Sequence, residues 1–173
     1  MNPLWPALLL TFALSACSVV DRVRLATPEL TAKWVLLPIT NHTETPQAGL
    51  RCEAIVEAVL RTKGVTQIER YPSELNPDTL LDPAERKLSE QAMGWAKSRE
   101  ARYAVGGSVE EWRYKVGVDG EPAVGVVLTV TDLRTGSVIY SASGGKSGWS
   151  REALSAVAQK LVKELLAELV PAR

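Results

Sequence analysis

Residues 123–133 alternate between two kinds of position. Val124, Val126, Leu128 and Val130 form one set, and Gly125, Val127, Thr129 and Thr131 form the other. A period of two over this length predicts a β-strand with one face buried in a core. Turn signals flank the strand, Asp119-Gly120 before it and residues 134–136 after it. We therefore expect it to be the middle strand of an antiparallel meander, between strands at 102–114 and 138–143.

Three helices are predicted from apolar stripes at helical spacing and from residues that favour helix ends. The first is expected to be capped by Thr45, with Pro46 in its first turn, and to end at Gly64. The second is expected to start at Asp82, and the third to span residues 150–170. The stripes are Ala48, Cys52, Ile55, Val56 and Val59, then Leu88, Ala92, Trp95, Ala96 and Arg99, and finally Leu154, Val157, Ala158, Leu161, Leu165 and Leu169.

A continuous apolar run at residues 34–39 is expected to be a strand buried on both faces, and residues 65–70 are expected to be a second, short strand. The element order is then β-α-β-α-β-β-β-α. This order predicts a mixed β-sheet sandwiched by helices, in a single α/β domain over residues 33–173. A chain of 173 residues with 46% hydrophobic and 23% charged residues fits one such domain.

The chain begins with residues 1–16, an uncharged apolar segment that is too short to span a bilayer and is typical of a secretory signal peptide. It ends in Leu14-Ser15-Ala16-Cys17, which resembles the bacterial lipobox, where cleavage precedes a cysteine that is then lipidated. An ordinary signal with a chance cysteine is the alternative. Cys17 is thus the expected lipid anchor, and Ser18 after it resembles an outer-membrane sorting signal. Residues 17–32 are expected to be the lipidated cysteine and a tether.

Gly145-Lys146-Ser147 spells the end of a phosphate-binding P-loop. A P-loop also needs a glycine at position 140, where this chain has Tyr140, so the sequence argues against a nucleotide site. Residues 144–149 are instead expected to form a glycine-rich loop that leads to Trp149. Two interpretations of Trp149 stay open: it packs on the last helix as a hydrophobic staple, or it is exposed to a partner, a sugar or the membrane interface.

Composition argues against several classes of function. Twenty basic residues balance twenty acidic residues without a basic stripe, which argues against a nucleic-acid partner. His42 is the one histidine of the chain, and we expect it to be a polar loop residue, since no zinc site, cofactor site or catalytic triad is recognisable. Cys52 lies on an apolar helix stripe and is expected to be a buried, unreactive thiol.

Acidic residues are frequent around the predicted hairpin: Glu110, Glu111, Asp119, Glu121 and Asp132. A solvated rim is one interpretation of this set. The paired carboxylates of a glycoside hydrolase are the other. In an oligomer the same residues would repeat around an axis, and their summed negative field would favour a cationic ligand.

Residues 34–65 contain a strand that ends in Leu37-Pro38-Ile39, then a polar loop and an amphipathic helix. This arrangement resembles a broad group of bacterial lipoproteins that includes the curli-secretion lipoprotein CsgG and the penicillin-binding-protein activator LpoB. Within the group, residues 44–49, the overall size and Trp149 resemble the PelC family, the lipoproteins of Pel exopolysaccharide export. The resemblance covers most of residues 33–170.

The resemblance to PelC implies a non-enzymatic protein without a metal or cofactor. It implies a homo-oligomeric ring of about a dozen subunits under the outer membrane. Such a ring would guide a cationic polysaccharide through a negatively charged funnel toward a β-barrel exporter with a PelB-like periplasmic scaffold. Carried to this chain, Asp119 is a candidate for the acidic funnel, Trp149 is a candidate membrane-proximal aromatic residue, and Cys17 is the anchor.

Two other functions compete with this one. A monomeric lipoprotein that activates a periplasmic cell-wall synthase would be favoured by a long disordered tether. A periplasmic carbohydrate hydrolase would need a concave site between two of the hairpin carboxylates.

Overall fold

The computed structural model describes residues 18–72, 82–116 and 120–170, the side chains of residues 82–85 excepted. Six strands and three helices in these ranges form a single α/β unit. Their bounds are β1 Ser18–Arg24, β2 Lys33–Asn41, α1 Ala48–Thr62, β3 Gln67–Arg70, α2 Asp82–Ser98, β4 Tyr103–Tyr114, β5 Pro122–Asp132, β6 Ser137–Ser147 and α3 Leu154–Leu165.

The six strands form one mixed sheet in the order β1-β6-β5-β4-β2-β3. Strand β2 runs parallel to both of its neighbours, β3 and β4, and the other pairs are antiparallel. From β2 onward the element order is the predicted one, and β4, β5 and β6 form the predicted meander. The mixed α/β sheet is therefore confirmed.

Helices cover both faces of the sheet, as predicted. Helices α1 and α3 lie on one face, where their apolar stripes meet Trp34, Leu36 and the buried valines and leucine of β5. Helix α2 lies on the other face, where Ala96 packs with Val35 and Ala104. Strand β2 is thus buried on both faces, because its alternate residues enter two different clusters.

The tether expected for residues 17–32 is wrong for Ser18–Arg24, which forms the edge strand β1 along β6. Val20 packs against the main core, whereas Val19 and Val23 of the same strand are exposed. The exposed positions carry valine in place of polar residues, so the usual polar–apolar contrast of an edge strand is absent from the sequence. Pairing with β6 therefore decides this structure.

The glycine-rich loop expected at residues 144–149 is also wrong in its first part, because β6 continues to Ser147 and pairs with both β1 and β5. A Cβ atom at Gly144 would lie 2.5 Å from the Val19 carbonyl oxygen and 3.3 Å from Leu165 Cδ2. Gly144 therefore allows β6 to pack closely against β1 and α3, and it does not mark a flexible loop.

Two helix starts differ from the predicted ones. Thr45 does not cap α1, which begins at Ala48 after Gln47 in a left-handed conformation. The Thr45 hydroxyl instead donates to the Trp112 carbonyl oxygen of β4. Helix α3 begins at Leu154 and not at Ser150, because residues 150–151 form a turn with Arg151 in the left-handed conformation and residues 152–153 are not helical. It ends at Leu165, although its buried stripe continues through turn residues to Leu169.

The start of α1 fits closely against the end of β2. A Cβ atom at Gly49 would lie 2.1 Å from the Ile39 carbonyl oxygen, which is far inside van der Waals contact. We expect Gly49→Ala to lower the free energy of unfolding by about 1–3 kcal/mol, the usual cost of overpacking. Urea unfolding followed by circular dichroism measures this change.

Gly94 of α2 provides the matched control, since a Cβ atom there would meet no atom within 4 Å. Gly94→Ala should raise stability by up to about 1 kcal/mol, because alanine is the better helix former. Equal effects of the two substitutions would contradict the proposed contact.

A buried carboxylate joins α1 to the irregular part of β2. The β2–β4 register shifts between Leu36 and Ile39, around Pro38, which has no N–H group to donate. The Ile39 N–H donates to Glu53 Oε1 at 3.1 Å, and Arg70 Nη2 donates to Glu53 Oε2 at 3.0 Å. Burial raises the pKa of Glu53 above its usual range, and the bonds from Ile39 and Arg70 only partly oppose that shift.

Glu53 should make stability depend on pH. A carboxyl group with a raised pKa binds its proton more tightly in the folded chain than in the unfolded chain. Its contribution to stability is therefore full below the unfolded pKa of about 4.3 and is lost as pH rises through the folded pKa. Glu53→Gln should remove this part of the pH dependence while an amide oxygen still accepts from Ile39.

Urea unfolding at a series of pH values tests the assignment. Glu90→Gln, at an exposed position of α2, is the control and should keep the pH dependence of the original chain. If the Glu53→Gln profile matches that control, Glu53 is not the titrating group.

Candidate functional site

One end of the sheet gathers the start of β1, the end of β6 and the β4–β5 connection. Ser18, which follows Cys17 in the chain, pairs with Lys146. Ser147 pairs with Ala123, and Tyr114 pairs with Pro122. We call this the anchor-proximal end. Cys17 and Asp119, two of the three predicted site residues, lie outside the described residues.

Trp149, the third predicted site residue, lies at the anchor-proximal end with 48% of its surface exposed. Its backbone N–H donates to Glu152 Oε2 at 3.2 Å. The preceding Gly148 is tightly enclosed, since a Cβ atom there would lie 2.4 Å from Val157 Cγ2 and 2.9 Å from Pro122 Cγ. The backbone is thus fixed against α3 while the indole ring remains accessible.

Two other large side chains are exposed at this end of the sheet, Tyr114 at the end of β4 and Val116 just after it. The Tyr114 hydroxyl accepts from the Leu154 N–H at 3.2 Å, which holds the ring next to the start of α3. Lys115, between them, donates to Ser147 Oγ at 2.7 Å. We call Tyr114, Val116 and Trp149 the aromatic end surface.

Lys146, the P-loop-like lysine, has a structural partner. Its ammonium group is 2.7 Å from Glu164 Oε1, and Ser18 Oγ donates to the other oxygen of Glu164 at 2.8 Å. Burial raises the pKa of Glu164, but the bonds from Lys146 and Ser18 and the charges of Lys146 and Arg22 outweigh it, so the net pKa is lowered. The ionised carboxylate therefore holds the first residue of β1 against α3.

His42 and Glu110 come together where β2 ends beside β4. His42 Nδ1 lies 3.0 Å from Glu110 Oε1, and the Ser108 hydroxyl donates to the same oxygen. The Ser108 hydrogen bond is the largest influence on Glu110, and with His42 it lowers the pKa of the carboxyl. Serine and histidine both bind the carboxylate, which is not the order of a catalytic relay, where histidine lies between the other two.

Sequence reasoning treated His42 and Glu110 separately and missed this cluster. The signal was the parallel β2–β4 pairing, which places Asn41 opposite Val109 and so brings the next residues of both strands together. That pairing could not be read from either segment alone.

The acidic residues around the hairpin do not share one place. Asp132 lies at the far end of β5, nearly buried, with Arg102 Nη2 at 2.8 Å. Glu110 and Glu111 line an open groove whose other charged residues are Glu44 and Arg113. The rest of its lining includes Thr43, Thr45, Pro46 and Gly125. Three carboxylates and one guanidinium give this groove a net negative charge.

Cys52 is fully buried on α1 as predicted, and burial raises the pKa of its thiol to about 12. Within the described residues, no cluster of three potential metal ligands occurs. No described helix is long and apolar enough to cross a membrane.

Comparison with solved structures decides the family. A PelC dodecamer from Paraburkholderia phytofirmans is 36% identical, covers 91% of this chain and 100% of its own, and superposes with a TM-score of 0.76. The chain belongs to the PelC family. A second PelC dodecamer from that organism, a substituted variant, is 38% identical over 87% of this chain and 98% of its own, with a TM-score of 0.73.

More distant structures share the PelC fold alone. The lipoprotein GNA1162 from Neisseria meningitidis is 15% identical over 80% of this chain and 97% of its own, with a TM-score of 0.55. No protein-family model and no curated protein sequence matches the chain. The sequence resemblance to PelC is confirmed.

The buried thiol gives a direct test of the core around α1. In a Cys17→Ser variant Cys52 is the sole cysteine. We expect it to react with a disulfide reagent at pH 8 about a thousandfold more slowly in the folded protein than in guanidinium chloride, because so little thiolate forms. Reaction at the rate of a free cysteine in the folded protein would show that the site opens to solvent.

Proposed function

We propose that this chain is a non-enzymatic, lipid-anchored protein of the outer membrane that assembles into a ring and guides a cationic exopolysaccharide toward an outer-membrane exporter. The observation that carries the proposal is the 36% identity to a PelC dodecamer over 91% of the chain. The dodecameric state of that relative supports a ring of about a dozen copies, and the export role is the one that the resemblance to PelC implies. Cys17 is the proposed anchor.

The geometry of the anchor-proximal end supports a direct position under the membrane. Ser18 is already part of β1, so the domain begins one residue after the proposed lipidated cysteine. The aromatic end surface lies at this same end, and tryptophan and tyrosine favour the interface between lipid and water. Trp149 would therefore rest at the headgroup level, with the rest of the domain below it.

The acidic groove supports a cationic ligand. Glu44, Glu110 and Glu111 outnumber Arg113 there, and the Ser108 hydrogen bond helps keep Glu110 ionised. In a ring the groove repeats once in each copy, and a closed ring of like charge concentrates cations along its axis. Asp119, our candidate for the funnel, belongs to the connection between β4 and β5, close in sequence to this groove.

The alternative, a monomeric activator of a cell-wall synthase, has less support. It would use a long disordered tether to reach its partner. Strand β1 instead holds Ser18–Arg24 in the sheet.

Brominated lipids test the membrane position of Trp149. Bromine quenches indole fluorescence only at short range, and Trp34 and Trp112 are buried. We expect vesicles of brominated lipid to quench the acylated protein and Trp149→Phe to abolish most of that quenching. Trp95→Phe, on α2 near Tyr71, is the matched control and should retain it. Unchanged quenching in Trp149→Phe would place another face against the membrane.

Export tests the function itself. In a strain whose own PelC gene is deleted, this chain should restore secretion of Pel polysaccharide. Asp119→Asn should reduce the restored secretion by about tenfold, within the range expected for loss of electrostatic steering. Glu121→Gln is the matched control on the same connection and should leave secretion intact. If Asp119→Asn secretes as well as the control, Asp119 is not a funnel residue.

A further inference from the structure

The large exposed apolar side chains of the described residues fall into two groups. The first is the aromatic end surface. The second comprises Val19, Val23, Leu25 and Val138, each between 45% and 75% exposed, and we call it the valine strip. Single exposed hydrophobic residues are ordinary, but several on one edge mark a contact surface.

The valine strip lies on one face of the sheet. In β1, Val20 packs on the core beneath α3, and Arg22 binds Glu168 beyond the end of α3. Because side chains alternate in a strand, Val19 and Val23 point to the opposite face. Val138 pairs with Thr131, which belongs to the β5 set directed away from the buried valines, so it shares that face.

This part of the sheet has no covering element among the described residues. Helix α2 lies over β2, whereas β1 is the opposite edge of the sheet. A Cβ atom added to Gly145, which pairs with Val19, would meet a single atom within 4 Å, the Val124 carbonyl oxygen at 3.8 Å. The surface is therefore flat and open at the place where the strip begins.

The edge of β1 carries few of the features that keep edge strands apart. Soluble proteins protect such edges with charged residues, lysine above all, with proline or with bulges. Ser18–Arg24 contains neither lysine nor proline, and its pairing with β6 runs without a register shift. Asp21 is the one charged residue of β1 on the strip side, since Arg22 and Arg24 both bind Glu168.

A lipid surface does not fit the whole strip. The strip runs along β1 away from the anchor-proximal end, and Val19 and Leu25 are separated by roughly 20 Å at about 3.3 Å per residue. Asp21 lies between them, and a carboxylate in hydrocarbon is costly. The first residue of the strip could meet a membrane, but the remainder needs a protein partner.

We infer that the valine strip and the free edge of β1 form one half of the contact between neighbouring copies of this chain. The occupant is a second copy because PelC relatives that match 91% and 87% of this chain are dodecamers. The inference rests on the proposed ring. A ring joins two different surfaces of each copy, so the strip meets another surface of its neighbour.

This contact adjoins the membrane anchor. Ser18 opens β1 and is held by Glu164, so a neighbour docked on β1 lies next to the residue that follows Cys17. Each lipid group would then stand at a boundary between copies. Assembly and anchoring would reinforce each other, because a lipid that holds β1 at the membrane also orients the surface that receives the neighbour.

The test compares paired lysine substitutions in the full acylated protein, purified in detergent. Val19→Lys with Val23→Lys places charge on the strip and on the free edge, and we expect its mass by light scattering to fall to that of a monomer. Val116→Lys, a single substitution of the same kind on the aromatic end surface, is the control and should keep the mass of the original assembly. Circular dichroism verifies that each variant is folded.

A photo-crosslinking amino acid provides a measurement that does not depend on the lysine variant folding. At position 23 it should give a covalent dimer of this chain in cell membranes, and at position 116 it should not. An intact assembly of the folded Val19→Lys, Val23→Lys protein, or equal loss in the Val116→Lys control, would overturn the inference. A monomeric original protein with no crosslink at either position would instead overturn the ring itself.

Discussion

The pairing of β1 with β6 is the contact on which the arrangement of this molecule depends. It fixes the position of Ser18, the residue after the proposed anchor Cys17, and it requires β6 to carry Gly144 where the backbone of β1 and the side chain of Leu165 approach together. Any larger side chain there would push β1 or α3 away from the sheet. Without this pairing Ser18–Arg24 would not be held in the sheet, and the proposed anchor at Cys17 would have no fixed position relative to the domain.

Electrostatics reinforce that pairing at both ends of β1. Glu164 binds Ser18 and Lys146 at the start of the strand. Toward its end, the Glu168 carboxylate binds Arg22, and the Glu168 backbone carbonyl oxygen accepts from Arg24. Single exposed ion pairs contribute little to stability. Lys146, however, is largely shielded from water, and the two carboxylates together connect β1 and β6 to α3 and the turn after it. They make the edge strand part of the folded domain.

Two consequences for function follow from the position of β1. The aromatic end surface and Ser18 share one end of the sheet, so the proposed membrane contact would have a defined orientation relative to the domain. The valine strip runs down the same strand from that end, so the inferred contact with a neighbouring copy would lie to the side. Both proposed contacts thus depend on the position of one strand.

The sequence by itself determined the elements whose patterns are local. The alternation of residues 123–133, the apolar stripes of α1 and α3, the burial of Cys52 and the resemblance to PelC were all readable, because each depends on spacing within one segment. Tertiary structure decided what depends on pairing between distant segments. Ser18–Arg24 looked like a tether because its exposed positions are valines, and Gly144 looked like a loop because a glycine required by close packing is indistinguishable in sequence from one required by flexibility. His42 contacts Glu110 because β2 and β4 pair in parallel, and Asp132 lies at the far end of β5, away from the other hairpin carboxylates. Both positions follow from strand register, which local composition does not reveal.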